Sequence, residues 1–384
     1  MHGINGSMIG LHAKDEDLTF HDLPPFSENV PTAPLLRLSL KKLVNGDEAE
    51  QERLWRACCD VGFFYLDLRG GRTNKRDSVN SASEEDVDGD ALLGHADELF
   101  ELGNTLFDLQ FEEKQKYDLK PRGSYFGYKA TGAGVVDKHG TRDRVEWYNV
   151  SKDDILGISG DRLPAPEILQ DEGNRTLLRT HMQRSHAIVM MLLSQMNGRL
   201  GLPPNTLQNL HKITNNSGDQ IRIIRSPPQP DQDDTKKSLG QHTDFGSITI
   251  LFNRLGGLQI LPPNSDQWSY VKPLKNHCIV NLGDAMVQFS AGILRSNLHR
   301  VVNPPGKQAG TTRMSLVYFA RPEDGVLMKA LEGSERVEEA RRENGVGEEE
   351  DVTAKDWILR RALGRRVGGD YENSGGSESD RVKS

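Results

Sequence analysis

The chain has 384 residues, of which 35 % are apolar, and a formal net charge of −8 with both signs mixed along its length. That length suits two average domains or one large one, and the low apolar share implies polar insertions or tails around a smaller core. An acidic balance without a basic stripe excludes a nucleic-acid or anionic-membrane surface and favours a small-molecule substrate.

Three cysteines, Cys58, Cys59 and Cys278, cannot make a disulfide framework and fit a reducing compartment. The start, MHGINGSMIG, lacks the basic flank and apolar run of a signal peptide. The longest apolar run, Ala187 to Leu193, is too short to span a bilayer. The expectation is a soluble, cytoplasmic, monomeric protein with no membrane partner.

Residues 1–30 carry no sustained period and are expected to form a loosely ordered arm. PLLRLSL (Pro34 to Leu40) alternates as a strand does. EAEQERLWRACCDVG then reads as a helix with Leu54, Ala57 and Cys58 on one face and Gly62 as its stop. FFYLDL (Phe63 to Leu68) reads as the next strand, and residues 71–90, polar and without a period, as a mobile insertion. Helical spacing returns from Ala91 to Lys120, with Leu92, Leu99, Leu102, Leu106 and Leu109 as its stripe. GSYFGYKATGAGVVDKHG, Gly-rich and aromatic, suits a loop over a site. A long amphipathic helix is expected from about Asn174 to Leu200.

From Gln220 the texture changes to short strands between turns: IRIIRS, SITILF, GLQIL, WSYVKPL, HCIVNL, GILRSNLHRVV and RMSLVYFA. Such spacing predicts an antiparallel sandwich or barrel. A charged helical segment (331–366) and a disordered tail (367–384) are expected to close the chain.

The chemistry concentrates in that strand-rich region. His242 and Asp244 stand at i, i+2 in QHTDFGSITILF, a spacing that puts two side chains on one face of a strand. His95 and Asp97 repeat the spacing, but in a helical stretch, where the two side chains diverge. His299, in ILRSNLHRVV, offers a third ligand from another strand. Two imidazoles and one carboxylate can hold one face of an ion and leave the other open, which suits non-haem iron(II), with zinc or manganese also able to bind.

Arg313 and Ser315, again i, i+2, follow in TTRMSLVYFARP. An arginine facing a barrel interior needs a partner. A planar guanidinium matches a carboxylate, and Ser315 can add a hydrogen bond. The plainer alternative is a structural salt bridge to a protein carboxylate. A zinc hydrolase would account for the ligands but leaves this pair unexplained.

The runs HTDFGSITILF, GGLQILPP, NLGDAM, SNLHRVV and RMSLVYFARP, with CCDVGFFYLDL and GSYFGY upstream, resemble the 2-oxoglutarate- and iron(II)-dependent dioxygenases. The isopenicillin-N-synthase-like branch, and uncharacterised fungal members within it, are the most similar; the likeness covers roughly residues 33 to 330. It implies a mainly β fold with flanking α: a double-stranded β-helix (jelly roll) core over 211–330, backed by a helical region over 31–210. It implies His242, Asp244 and His299 as iron ligands, and Arg313 and Ser315 as the holders of the distal carboxylate of 2-oxoglutarate. Such an enzyme uses Fe(2+), 2-oxoglutarate and O2 to hydroxylate, desaturate or cyclise a small molecule, releasing succinate and CO2.

Two departures stand out. Where many members carry Asn-x-Tyr, this chain has Ile224 and Ser226, and alternation puts Arg225 on the opposite face. Where relatives often have His-Gly, it has Arg69-Gly70. The implied substrate side is lined by Tyr125, Tyr128, Lys129, Trp147, Ser226 and Phe245. Two competing readings are an iron oxidase of the isopenicillin N synthase type that does not use 2-oxoglutarate, and a catalytically silent jelly-roll binding protein.

Overall fold

The computed structural model describes residues 17–73, 86–229, 237–345 and 351–369. Residues 1–16 of the expected arm, 74–85 of the expected insertion and 370–384 of the expected tail lie outside the described residues.

Among the described residues the strands are β1 (Arg37–Ser39), β2 (Phe63–Asp67), β3 (Gly127–Lys129), β4 (Glu146–Ser151), β5 (Gln220–Ser226), β6 (Lys237–His242), β7 (Ile248–Asn253), β8 (Leu258–Ile260), β9 (Ser269–Tyr270), β10 (His277–Leu282), β11 (His299–Val302) and β12 (Arg313–Ala320). They form an eight-stranded sheet ordered β1-β2-β10-β7-β12-β5-β4-β3 and a four-stranded sheet ordered β6-β11-β8-β9. All pairs are antiparallel except β1 with β2. The two sheets face each other across one chamber, as a jelly roll does.

Period-two alternation sorts the large sheet into two faces. Outward residues such as Ile221, Ile223, Ile250, Phe252, Leu316 and Tyr318 are buried against Leu99, Leu102 and Leu106 of one helix, Gly89–Phe107, and Leu178, Met182 and Leu192 of another, Glu172–Leu200. At roughly 1.5–3 kcal/mol per buried large aliphatic side chain, that layer dominates the stability of the fold. Inward residues form cross-strand rows. Trp147, Ile224 and Ser315 make one row, Arg222, Val317 and Leu251 the next, and Phe319, Thr249, Asn281 and Phe63 a third. This inner face lines the chamber.

Several expectations need correction. The helical stretch from Ala91 breaks after Phe107, a short helix, Phe111–Gln115, follows, and Lys120–Arg122 is only a single tight turn. Helix Gly89–Phe107 starts inside the expected insertion, because Asp88 caps it through Ala91 N–H at 3.0 Å. Two strands, β3 and β4, lie in the region expected to be helical or loop; they are held by pairing with each other and with β5, distant in sequence. Only Ser269–Tyr270 of WSYVKPL is strand, with Val271 N–H adding one bond to Leu258 O (2.9 Å), and Pro273 downstream lacks a donor. Only His299–Val302 of GILRSNLHRVV is strand; Ala291 and Gly292 upstream have positive φ, 50° and 88°.

The described part of the expected loose arm is tied down. Ala33 N–H donates to Tyr270 O (2.8 Å), Tyr270 N–H to Pro31 O (2.7 Å), and Lys275 N–H to Leu18 O (2.9 Å). Gln308 Nε2 donates to Pro24 O at 2.8 Å. Residues 31–33 thus lie along the β9 edge of the small sheet, with Leu18 and Pro24 tied to Lys275 and Gln308 nearby. No helix among the described residues is long and apolar enough to cross a membrane.

Candidate metal centre

His242 ends β6 and His299 begins β11, directly opposite each other in register, with ring centroids 4.1 Å apart. Asp244 lies two residues beyond the end of β6, so the expected shared strand face is replaced by a strand end and the turn after it. The three ligand atoms nevertheless gather within 4.8 Å of one another. Asp244 Oδ1 stands 3.9 Å from His242 Nε2 and 3.8 Å from His299 Nε2.

The surrounding bonds leave the right atoms free for an ion. His242 Nδ1 donates to Gly240 O (2.8 Å) and His299 Nδ1 to Asn297 O (3.1 Å), so both Nε2 lone pairs point inward. Asp244 Oδ2 accepts from Thr249 Oγ1 and Asn281 Nδ2, each at 2.7 Å, which leaves Oδ1 open. Phe63 packs its ring edge-on to His299 at 5.4 Å. Burial, then the His299 and Arg365 charges, hold His242 well below its ordinary value. Burial opposes ionisation of Asp244, but His299, His242, Asn281 and Thr249 together keep its carboxyl below the usual range. Neutral imidazole and ionised carboxylate are the forms that bind a metal. The donor set fits iron(II).

A second network fixes the turn between the ligands. Thr243 Oγ1 donates to Asp284 Oδ2 (2.9 Å), and Asp284 N–H donates to Asp244 O (2.8 Å). Arg361, from the helix Ala354–Gly364, donates to the same Asp284 Oδ2 at 2.7 Å. Trp357 of that helix donates through Nε1 to Phe245 O at 3.3 Å.

Arg313 and Ser315 both face the chamber from β12. Arg313 donates through Nε to Gly256 O and through Nη1 to Ser315 Oγ, each at 2.7 Å. No carboxylate among the described residues pairs with it, although it is 3 % exposed, so the salt-bridge alternative does not hold. Burial pushes its guanidinium down to about 10, still charged at neutral pH. Because Ser315 Oγ accepts from Arg313, its own proton is free to donate. A buried, positively charged fork open to a chamber fits a carboxylate ligand such as that of 2-oxoglutarate.

The space between the two sheets, counted together with its open mouth, is about 650 Å³. Of the six expected substrate-side residues, Trp147 lines it. Tyr128 is on the outer face, donating to Glu146 Oε2 at 2.6 Å. Lys129 sits beyond Trp147 at the sheet edge, paired with Asp143. Tyr125 stacks on Phe126 and under Arg321. Ser226 is buried opposite Arg313 in register but off the chamber wall, and Phe245 packs under Arg361 and Arg365. Arg225 points outward, pairing with Glu146 and Asp108. Sequence reasoning missed Arg222, which lines the chamber and is pushed down to about 9 by burial and then by Arg321. Its alternation with Ile224 and Ser226 was the available signal. It also missed Thr249, Asn281 and Arg361, for which no local signal exists.

Known proteins agree with this architecture. Residues 213–322 match the model of the 2OG-Fe(II) oxygenase superfamily. A 2-oxoglutarate-dependent dioxygenase of Aspergillus fumigatus is 32 % identical, over 80 % of this chain and 80 % of its own. The 2-oxoglutarate-dependent dioxygenase frbH of Dothideomycetidae sp. is 30 % identical, over 86 % and 90 %. Among solved structures, a full-length Neurospora crassa protein in complex with alpha-KG superposes with a TM-score of 0.67 at 22 % identity, covering 88 % of this chain and 97 % of that one. These relatives leave the isopenicillin N synthase type and the silent binding protein without support. The chain belongs to the 2OG-Fe(II) oxygenase superfamily and is a 2-oxoglutarate-dependent dioxygenase that uses iron(II), 2-oxoglutarate and O2.

Proposed function

We propose that this enzyme hydroxylates, desaturates or cyclises a small-molecule metabolite, working as a monomer in the cytoplasm, with iron held by His242, Asp244 and His299. The observation that carries the reading is Arg313: a buried guanidinium with no counter-charge among the described residues, in the chamber that also holds the triad. Small ligands are in keeping with the solved relatives, since the Neurospora crassa protein is also seen in complex with alpha-KG and thymine. Three free cysteines suit a reducing compartment.

When bound, iron(II) with 2-oxoglutarate and O2 supplies the oxidising power, and succinate and CO2 leave. The chain's own residues bind and orient. Thr249 and Asn281 hold Oδ2 of Asp244, so that Oδ1 and the two Nε2 atoms present one face to the ion. Arg313 and Ser315 hold the distal carboxylate of the co-substrate. Leu239, Leu251, Leu258, Val301 and Val317 line the chamber and exclude water from it.

The test is anaerobic addition of iron(II) and then 2-oxoglutarate, followed in the visible region for a charge-transfer band. Arg313→Gln should raise the 2-oxoglutarate needed for half-saturation at least ten-fold with iron affinity unchanged, the loss expected for a charged hydrogen bond. A wild-type enzyme without the band, or an Arg313→Gln variant that titrates like wild type, overturns the reading.

A further inference from the structure

Besides Arg313 the chamber holds a second cation, which is part-buried. Arg222 projects from β5 into the space that contains the triad, and Asp244 acts on its charge. Its Nε donates to Asn149 Oδ1 at 2.7 Å, a neutral acceptor. No carboxylate among the described residues forms an ion pair with it, whereas the other arginine of the same strand, Arg225, has two. Trp147 and Phe319, from the strands on either side of β5, hold their rings 4.4 and 5.1 Å from the guanidinium carbon. With a ring on each side, the N–H edge is what remains for a ligand, so the group is built to bind in its plane.

Arg313 and Arg222 stand at different depths of the chamber. Arg313 is opposite Ser226, and Arg222 is opposite Val317, four residues further along β12. At about 3.3 Å per residue the two positions are about 13 Å apart. The two guanidinium groups also have separate anchors, Gly256 O and Ser315 Oγ for Arg313 and Asn149 Oδ1 for Arg222. Even a part-buried guanidinium without a counter-ion is favoured by an anion that arrives beside it.

We propose that Arg222 is the specificity-determining residue for a carboxylate carried by the organic substrate, so that the substrate class is an organic acid seated at the opposite end of the chamber from Arg313. This rests on the 2-oxoglutarate-dependent reading above and narrows it from small molecules to acids. Asn149 positions the guanidinium through Nε, and the flanking rings keep it from folding away. Neutral amides of the same shape lack the charge that the site requires.

The experiment uses the holoenzyme loaded anaerobically with iron(II) and 2-oxoglutarate, and reads tryptophan fluorescence, since Trp147 lies against Arg222. The probes are benzoate, phenylacetate and cinnamate, each beside its primary amide. At least one acid should bind ten-fold or more tightly than its amide, the preference should vanish in Arg222→Gln, and Arg222→Lys should recover part of it. The 2-oxoglutarate charge-transfer band, recorded in the same samples, should titrate within two-fold of wild type in both variants. If no acid binds more tightly than its amide while the band is intact, the inference fails and the dioxygenase reading stands. If Arg222→Gln shifts the 2-oxoglutarate titration ten-fold, Arg222 serves the co-substrate and the inference also fails. Loss of the band in the wild type is the separate failure of the functional reading, and it takes the inference with it.

Discussion

Thr249 of β7 and Asn281 of β10 are direct cross-strand partners, and both donate to the same carboxylate oxygen, Oδ2 of Asp244. One rung of the large sheet thereby aims the acidic ligand of a site whose histidines come from the small sheet. Asn281→Ala removes one of the two donors and leaves the carboxylate free to rotate. Iron affinity should fall about 10–100-fold, the usual effect of losing an outer partner of a ligand. Anaerobic titration calorimetry measures it, with the circular dichroism spectrum as the check on folding; unchanged affinity would count against this role.

Arg361 reaches the metal site from a helix near the end of the chain, through Asp284 and Thr243. It is 8 % exposed and Asp284 1 %. Arg361→Met leaves Asp284 buried without that partner, a change that costs about 3–5 kcal/mol. The expected outcome is a lower midpoint in urea and weaker iron binding together. Loss of stability with normal iron affinity would confine the pair to a structural role.

Gly257 has φ of +105°, and a Cβ there would stand 2.7 Å from Val302 O and 3.2 Å from Arg313 Nε. Its neighbour Gly256 supplies the carbonyl that fixes Arg313. Gly257→Ala therefore strains the backbone and pushes on the guanidinium at once. Half-saturation by 2-oxoglutarate should rise several-fold in the visible titration, with iron affinity retained.

Among the candidate site residues, His242 with Asp244 and Arg313 with Ser315 stood out by i, i+2 spacing, although Asp244 lies in the turn beyond β6, and His299 stood out by the strand texture around it. The same spacing at His95 and Asp97 falls in the helix Gly89–Phe107, where Asp97 instead pairs with Arg254. Arg222 was legible in principle: alternation puts it on the same strand face as Ile224 and Ser226, the two positions that depart from the family pattern. Thr249 and Asn281 were not, since their meeting depends on which strands pair, a long-range outcome that no local pattern encodes. Strand β3 has three residues, too few to show a period, and exists through its pairing with β4.

His181 is fully buried beside Phe252, and neither ring nitrogen has a partner among the described residues. Burial, and then the His95 charge, push it down to about 3 from an ordinary 6.5. The folded protein thus keeps it neutral while the unfolded chain takes up a proton below pH 6.5. Its contribution to stability is full above that pH and is lost progressively as pH falls from 6.5 towards 3. His181→Leu should flatten that part of the stability curve. It should also stabilise the protein at neutral pH by about 1 kcal/mol, by removing an unsatisfied polar group. Urea unfolding at several pH values measures both.

The segment laid along β9 has a consequence for the protein in concentrated solution. Tyr270 spends its N–H and C=O on Pro31 and Ala33. Without that cover, β9 would offer a bare row of donors and acceptors, a template on which any extended chain can add itself. Enzyme lacking residues 1–33 should scatter light increasingly as its concentration rises, while the full chain stays clear. Residues 31–33, at the end of what the sequence presents as a loose arm, are on this account the seal that keeps one molecule from being extended by the next.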